Sequence, residues 1–330
     1  MKAWVASAAS VGIEFSMVDL PDPVPAPDEL LIRVRASGIN KVDQRLGGSH
    51  FGHSAPAVAP IPGLEAAGEV ISMGSDVRGF AIGARLAGMV QGACAEYVCL
   101  KAALAISLPS SMDWTLAAAL PVSYLTAHNA LVTIGGLAPG GTIMIHAVSS
   151  GVGIAALQLA RLRGAALIIG TSSSPEKLER LRALGLDVGL SDSSKGFATQ
   201  VLQYTDARGV DVVVDNIGGM SLNQTMTCTA IGGCVVNVGR LGGSQAEVDL
   251  NLHAFRRLRL VGATFRSRSL EEHARVVTDF LADHGPHLAD GTLAPVIDST
   301  YSFDDLPKAI ARSSQRSKFG KIVLETRASH

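Results

Sequence analysis

The segment Ser149-Ser150-Gly151-Val152-Gly153 joins an apolar run, residues 142–148, to a helical pattern over residues 151–162. A turn of small residues between a buried strand and a helix leaves backbone N–H groups free at the positive end of the helix dipole, an arrangement that binds a diphosphate. A glycine turn alone carries little weight, but here the next apolar run, 166–170, ends about 20 residues further on, where such folds read an adenosine ribose. That run leads into Gly170-Thr171-Ser172-Ser173-Ser174, with Lys177 and Arg180 behind it. A carboxylate at this place would receive the two ribose hydroxyls of NAD, whereas hydroxyls and a cation suit a 2′-phosphate. Ser150, Gly151, Val152 and Gly153 are therefore candidates for a diphosphate, and Thr171, Ser172, Ser173 and Lys177 for the extra phosphate of NADPH. The same serines also suit a helix N-cap ahead of Pro175 and Glu176, and the two roles are compatible. Val238, Gly239 and Arg240 end another apolar run, at the carboxyl edge where cofactors lie in parallel sheets.

These residues need alternating strands and helices to position them. From Tyr124 onward the sequence supplies them: a helix over 125–134, strand 142–148, helix 151–162, strand 166–170, helix 175–183, then apolar runs at 210–214, 234–238 and 258–263. Near-continuous apolar runs of this length mark buried parallel strands, so the middle of the chain reads as a doubly wound α/β domain. Up to about Pro121 the pattern is different, with short β segments such as 29–36 and 68–73 between Pro- and Gly-rich turns. Residues 21–27, Pro-Asp-Pro-Val-Pro-Ala-Pro, read as a rigid loop between two early strands. The tail returns to a helix over 269–284 and a closing strand over 320–325.

The 330 residues carry 47% hydrophobic and 17% charged side chains and a net charge of −1, which excludes a disordered chain and gives no basic face for nucleic acid. No apolar run approaches the ~20 residues of a membrane span, and Met1 to Ser10 lack the pattern of a secretory signal, so a cytoplasmic location is expected. The four cysteines lack the spacing of a structural zinc site and read as small buried side chains. Cys94 and Cys99 fall in a strand-like stretch that would set them on opposite faces. His146, inside an apolar run, reads as a buried and satisfied histidine.

Several motifs in order extend the reading: Gly38-Ile39-Asn40-Lys41-Val42-Asp43, Ile61-Pro62-Gly63-Leu64-Glu65-Ala66-Ala67-Gly68, Tyr124-Leu125-Thr126-Ala127, the glycine turn, Asp215-Asn216-Ile217-Gly218-Gly219 and Phe319-Gly320-Lys321-Ile322-Val323. With them the chain resembles the zinc-free, zeta-crystallin-like quinone oxidoreductase branch of the medium-chain dehydrogenases/reductases. The resemblance implies a GroES-like, β-rich catalytic domain from residues 1–122 and 265–330, a Rossmann domain from 123–264, and an active cleft between them. It also implies a homodimer, joined through Rossmann edge strands such as that near 258–263. Zinc-dependent relatives carry cysteine where this chain has Asn40 and histidine where it has Leu64, and neither residue here supplies a zinc ligand. No metal is therefore expected, and hydride transfer from NADPH should require an acceptor that is already activated, a quinone or another conjugated carbonyl. An enoyl-thioester or ene reductase and a non-catalytic, NADPH-binding crystallin-like protein are the alternatives.

The resemblance further implies that Thr126 approaches the nicotinamide and that Phe265, Arg266, Phe319 and Lys321 close the cofactor cleft. Asn216 is a cofactor candidate or a turn residue. Asn40 is expected beside substrate, its amide donating to a developing enolate or quinol oxygen. Asp43 either orients neighbours or caps a helix. Tyr124 is a proton source or a core tyrosine, and Lys41, in place of an aromatic residue usual in relatives, is a second donor candidate or an exposed lysine. His50, Phe51 and His53 sit in a Gly-bearing segment expected to form a loop over the substrate mouth. Two further departures stand out: Ser150 replaces the first glycine of the turn, and Asp192 replaces a tyrosine near the 2′-phosphate.

Overall fold

The computed structural model describes residues 1–8, 13–45, 60–191 and 196–326. They divide into two compact units, one of residues 1–122 and 268–330, the other of residues 123–267. The second division falls three residues beyond the expected 264/265 boundary, so Phe265 and Arg266 belong to the central unit.

The N-terminal stretch contributes strands β1 (Lys2–Ala8), β2 (Ile13–Asp19), β3 (Glu29–Ile39), β4 (Glu65–Met73), β5 (Arg85–Met89), β6 (Tyr97–Lys101) and β7 (Ile106–Ser107) and helix α1 (Trp114–Ala118). Helix α2 (Pro121–His128) follows, and its last turn continues into a π-helical turn over Asn129–Ile134, where the Gly135 N–H reaches back to Ala130 O at 2.9 Å. The expected helix over 125–134 thus starts earlier and changes winding midway.

The central unit then runs β8 (Thr142–Ile145), α3 (Gly151–Leu162), β9 (Leu167–Ser172), α4 (Pro175–Arg182), β10 (Val188–Ser191), α5 (Phe197–Tyr204), β11 (Val210–Asp215), α6 (Leu222–Thr227), β12 (Thr229–Asn237), α7 (Leu250–Arg256) and β13 (Arg259–Gly262). The tail adds α8 (Leu270–Ala289), β14 (Ile297–Ser302), α9 (Leu306–Ser314) and β15 (Lys321–Glu325). The expected helix 269–284 is capped by Ser269 and Glu272 in a reciprocal box but runs on through Pro286 to Ala289.

In the unit built from both chain ends, the main sheet has the order β14-β15-β3-β4-β5-β7, with β6 also paired to β3. β15 lies antiparallel to β3, bringing Ile322 opposite Ile39 across almost the whole sequence. Trp4, Ile39, Cys94, Phe303, Leu306, Ile322 and Leu324 form one core beneath it, and the Trp4 indole donates to Phe303 O at 2.8 Å. The stretch 94–99 is not one strand: β6 begins at Tyr97, Cys94 is fully buried ahead of it, and Cys99 is half-buried within it, so simple alternation does not relate the two cysteines.

The central unit is a six-stranded parallel sheet in the order β10-β9-β8-β11-β12-β13. The order reverses between β8 and β11, and a crevice opens outside the carboxyl ends of strands at such a reversal. Met144, Ile169, Leu190, Val201, Val213 and Val235 fill one face of this sheet together with Phe197. Strand β8 ends at Ile145 rather than at the expected 148, because Ala147 takes a left-handed backbone, φ 49°, that swings the chain toward α3.

That swing sets α3 hard against the sheet. A Cβ added at Gly153 would lie 2.5 Å from Ala147 O and 2.7 Å from the Val148 Cα, both backbone atoms that cannot step aside. Gly153→Ala should therefore lift the start of α3 and cost about 1–3 kcal/mol, the range for overpacking a filled site; a urea midpoint equal to that of the unaltered protein would contradict this close approach.

Candidate functional site

The crevice of the central unit is built from four strand ends. Ser150 caps α3, its Oγ accepting from Gly153 N at 3.0 Å, while the first intrahelical bond runs from Ile154 N to Ser150 O at 2.8 Å. The N–H groups of Gly151 and Val152 precede that bond, so they are donors the helix itself does not use. Ser150, standing in place of glycine, serves the helix rather than opening it. These residues fit a diphosphate: two half-buried N–H groups at a helix start, approached by a turn without bulky side chains.

At the end of β9 the hydroxyls divide. Thr171 is fully buried, with its Oγ1 3.0 Å from His146 Nδ1, and Ser172 is 3% exposed, its Oγ 3.4 Å from Ser149 Oγ. Ser173 is exposed. Ser174 accepts from Lys177 N at 3.3 Å and donates to Glu176 Oε2 at 2.6 Å, the capping role that the sequence also allowed. Lys177 lies on α4 with its side chain largely covered, and Arg180 is exposed. Of the residues expected to meet a 2′-phosphate, Thr171 faces inward, while Ser173 sits on the rim.

On the other side of the reversal, Asn216 Nδ2 donates to His146 O at 2.9 Å, tying the end of β11 to the end of β8. Asp215 is fully buried, and its Oδ1 accepts from Ile217 N and Gly218 N, both at 2.9 Å. Val238 N and Gly239 N both donate to Asp215 O, and a Cβ on Gly239 would come within 2.4 Å of Asn216 O. Glycine is needed there because the two loops touch backbone to backbone. Arg240 is exposed just beyond, and its charge, after burial, helps to lower the pKa of the Arg266 guanidinium. Thr126 and Phe265 are half-buried in the same unit.

Tyr124 is 1% exposed and donates its hydroxyl to Gln158 Oε1 at 2.5 Å; burial pushes its pKa far above the usual phenol range. This is the environment of a core tyrosine. His50, Phe51 and His53 fall within residues 46–59, and Asp192 within 192–195, outside the described residues.

The unit built from both chain ends holds a second cluster, around Asn40. Lys321, 4% exposed on β15, forms an ion pair with the fully buried Glu65 at the start of β4 and donates to Asn40 Oδ1 at 2.8 Å. Asn40 Nδ2 donates to Glu65 Oε1 at 2.9 Å and, more weakly, to Gly38 O at 3.4 Å. Glu65 Oε2 accepts from Val122 N at 2.7 Å. The carboxamide of Asn40 is thus held at both ends, with its donors turned inward. Lys321, expected to close a cofactor cleft, commits its ammonium to Glu65, Asn40 and Ile39 O. Phe319 is buried nearby in sequence, its N–H donating to Asp298 Oδ1 at 2.8 Å, and Lys41 is exposed.

Glu65 went unassigned in the sequence although a signal was there: a single acid among Leu64, Ala66 and Ala67 must be paired if the strand is buried, just as Lys321 must be in its apolar run. The donor set does not fit zinc. An amide oxygen engaged by an ammonium, and a leucine, offer neither thiolate nor imidazole, and a positive charge already faces Glu65.

Asp43 lies beneath this cluster, fully buried, its Oδ2 accepting from Asn40 N at 2.7 Å. Burial raises its pKa to about 7, against opposing effects of the Asn40 N–H and the Lys321 charge. In the unfolded chain the carboxyl ionises from about pH 4, so the folded state loses stability progressively from there to pH 7 and holds that loss above it, amounting to about 4 kcal/mol for three pKa units. Asp43→Asn should flatten this slope: measured by urea unfolding, its advantage over the unaltered protein should be absent at pH 4 and grow toward pH 8. An advantage that is constant with pH would contradict the assignment.

Comparison with known proteins extends these observations. Residues 26–110 match the family model of the alcohol dehydrogenase GroES-like domain, and residues 151–283 that of the zinc-binding dehydrogenase. Erythronolide synthase EryA2 of Saccharopolyspora erythraea is 38% identical over 226 residues, 66% of this chain and 6% of that protein. The chain spans 5% to 14% of the length of the polyketide synthases it matches. Human quinone oxidoreductase is 26% identical over 88% of this chain and 87% of its own length. The quinone oxidoreductase of Thermus thermophilus, whose structure was also solved in complex with NADPH, superposes with a TM-score of 0.83 at 28% identity, covering 98% of this chain and all of that one. No described helix is long and apolar enough to cross a membrane. The GroES-like and Rossmann units expected from the motifs are both present, and the chain belongs to the medium-chain dehydrogenases/reductases of the quinone oxidoreductase type.

Proposed function

We propose that this protein is an NADPH-dependent reductase that delivers hydride, without a metal ion, to a quinone or another conjugated carbonyl. The observation that carries the proposal is the Lys321–Glu65–Asn40 cluster: it fills with an ammonium the place where a Lewis acid would need soft ligands. Without one, an ordinary ketone is not polarised, and an acceptor must delocalise the incoming charge itself.

When bound, the nicotinamide supplies the hydride. The chain's own residues do the rest. Gly151 and Val152 offer N–H groups to the diphosphate, and Ser173 and Lys177 the hydroxyl and charge suited to a 2′-phosphate. Because Tyr124 is buried against Gln158, water is the better source of the final proton. The 38% identity to a polyketide synthase favours a second reading, with an α,β-unsaturated acyl thioester as acceptor.

Steady-state rates with panels of quinones, enones and enoyl thioesters should show NADPH consumption with at least one class, slower consumption with NADH, and no loss of rate after prolonged chelation. Absence of turnover with every class, or restoration of rate by added zinc, would reject the proposal.

We also propose a homodimer through the edge strand β13. Its Leu260 is exposed, and Phe255 and Leu250, on the helix α7 that precedes it in the chain, are 77% and 72% exposed. Light scattering should give twice the mass of one chain, and Phe255→Asp with Leu260→Asp should return it to one. A monomer before substitution would refute this.

A further inference from the structure

We propose that His146 is the positioning residue of the dinucleotide crevice: as a ring protonated on Nε2, it holds Thr171 turned inward and fixes the kink at Ala147. The proposal rests on the reading of this crevice as a nucleotide site.

The protonation pattern follows from counting donors. Thr225 Oγ1 lies 3.0 Å from Ser221 O, which can only accept, and with the one hydroxyl proton placed there the 2.9 Å contact with His146 Nε2 assigns the donor role to the nitrogen. In the neutral ring Nδ1 is then the acceptor, and the Thr171 hydroxyl, 3.0 Å away, donates to it. The Ala147 N–H in turn points at Thr171 Oγ1 at 3.4 Å. Phe197 meets the ring edge-on with centroids 5.2 Å apart, fixing its plane.

Its place gives this ring its reach. The backbone of His146 pairs with β11 through Val214 O at 3.0 Å, and its carbonyl receives Asn216 Nδ2, while the side chain engages β9 at Thr171 and α6 at Thr225. One residue is therefore bonded to both sides of the strand-order reversal and to the strand end where the adenosine ribose would lie. The left-handed backbone of Ala147 is strained for a residue with a Cβ, and such a conformation persists when its surroundings hold it. With Thr171 held by the ring, its hydroxyl is unavailable to a ligand phosphate, and the rim is left to Ser173. A leucine at 146 would fill the volume but release Thr171 and Thr225 together.

The test joins a ligand-free measurement to ligand binding. Nitrogen-15 spectra of the unaltered protein, labelled at histidine, should show one buried imidazole protonated on Nε2, absent from His146→Gln. Calorimetry with NADPH and with adenosine 2′,5′-bisphosphate should show affinity lowered at least tenfold in both His146→Leu and Thr225→Val. His146→Gln, which keeps an N–H donor toward Thr225, should recover part of that loss. In turnover, the KM for NADPH should rise at least tenfold in these variants while the KM for the acceptor moves less than threefold. A ring protonated on Nδ1, or His146→Gln and Thr225→Val variants that bind NADPH as the unaltered protein does, would overturn the proposal while leaving the nucleotide reading intact. Failure of the unaltered protein to bind either NADPH or NADH would overturn both.

Discussion

The ion pair between Lys321 and Glu65 is sealed from water, and a charge pair in that state persists only when each ionised atom has a partner of its own. Here the set of partners is complete: the ammonium meets Glu65, Asn40 and Ile39 O, and the second carboxylate oxygen meets the Val122 N–H. That requirement draws the end of β3, the start of β4, the start of β15 and the end of the N-terminal segment to one point. Asp43 beneath it owes its raised pKa chiefly to burial, which the Lys321 charge only partly offsets. Glu65 is paired with the ammonium, whereas Asp43, buried without an ion pair of its own among the described residues, retains its proton up to about pH 7.

The central unit uses a different means to the same end. Its strand ends are joined by hydrogen bonds among Asn216, Thr171, Thr225 and His146, and by glycines that allow backbone to meet backbone. Neutral donors and acceptors leave the field at the start of α3 to the helix itself, so the charge offered there is the partial positive charge of free N–H groups. A ligand with a diphosphate meets no buried carboxylate on the near side of the turn, while Asp215, the one fully buried acid at these strand ends among the described residues, keeps one oxygen on the amides of its own loop.

Much of this architecture was legible in the sequence, since periodicity and local signals reach across ten or fifteen residues. Helix α3 runs over the expected 151–162, and β8, β9, β11, β12 and β13 fall on the apolar runs, whereas the short, half-buried β10, Val-Gly-Leu-Ser, carries no such run and gives no signal. The end of β8 was not legible: Ala147 and Val148 are as apolar as the strand before them, and the left-handed turn is imposed from outside by Thr171 and by α3. Likewise α8 continues past Pro286, a residue that ends many helices, since a tertiary context can outweigh one missing N–H. At the site, the glycine turn was readable, but the direction of each hydroxyl was not. Thr171 and Ser173 are two residues apart on a strand end, and their difference comes from His146, 25 positions before Thr171. The pairing of Lys321 with Glu65 spans 256 positions, beyond any pattern of spacing.

β15 lies inside its sheet, between β14 and β3, rather than at a margin. During synthesis residues 123–267 emerge as an unbroken stretch that contains every strand of its own sheet, and they can fold as they leave the ribosome. The other unit has its first seven strands long before its last, so residues 36–39 of β3 wait unpaired on the side away from β4, and the Glu65 carboxylate waits without its cation, until β15 has been made. A half-built sheet therefore persists while roughly two hundred codons are translated, and an unpaired strand edge in that interval is the kind of surface that invites misassembly.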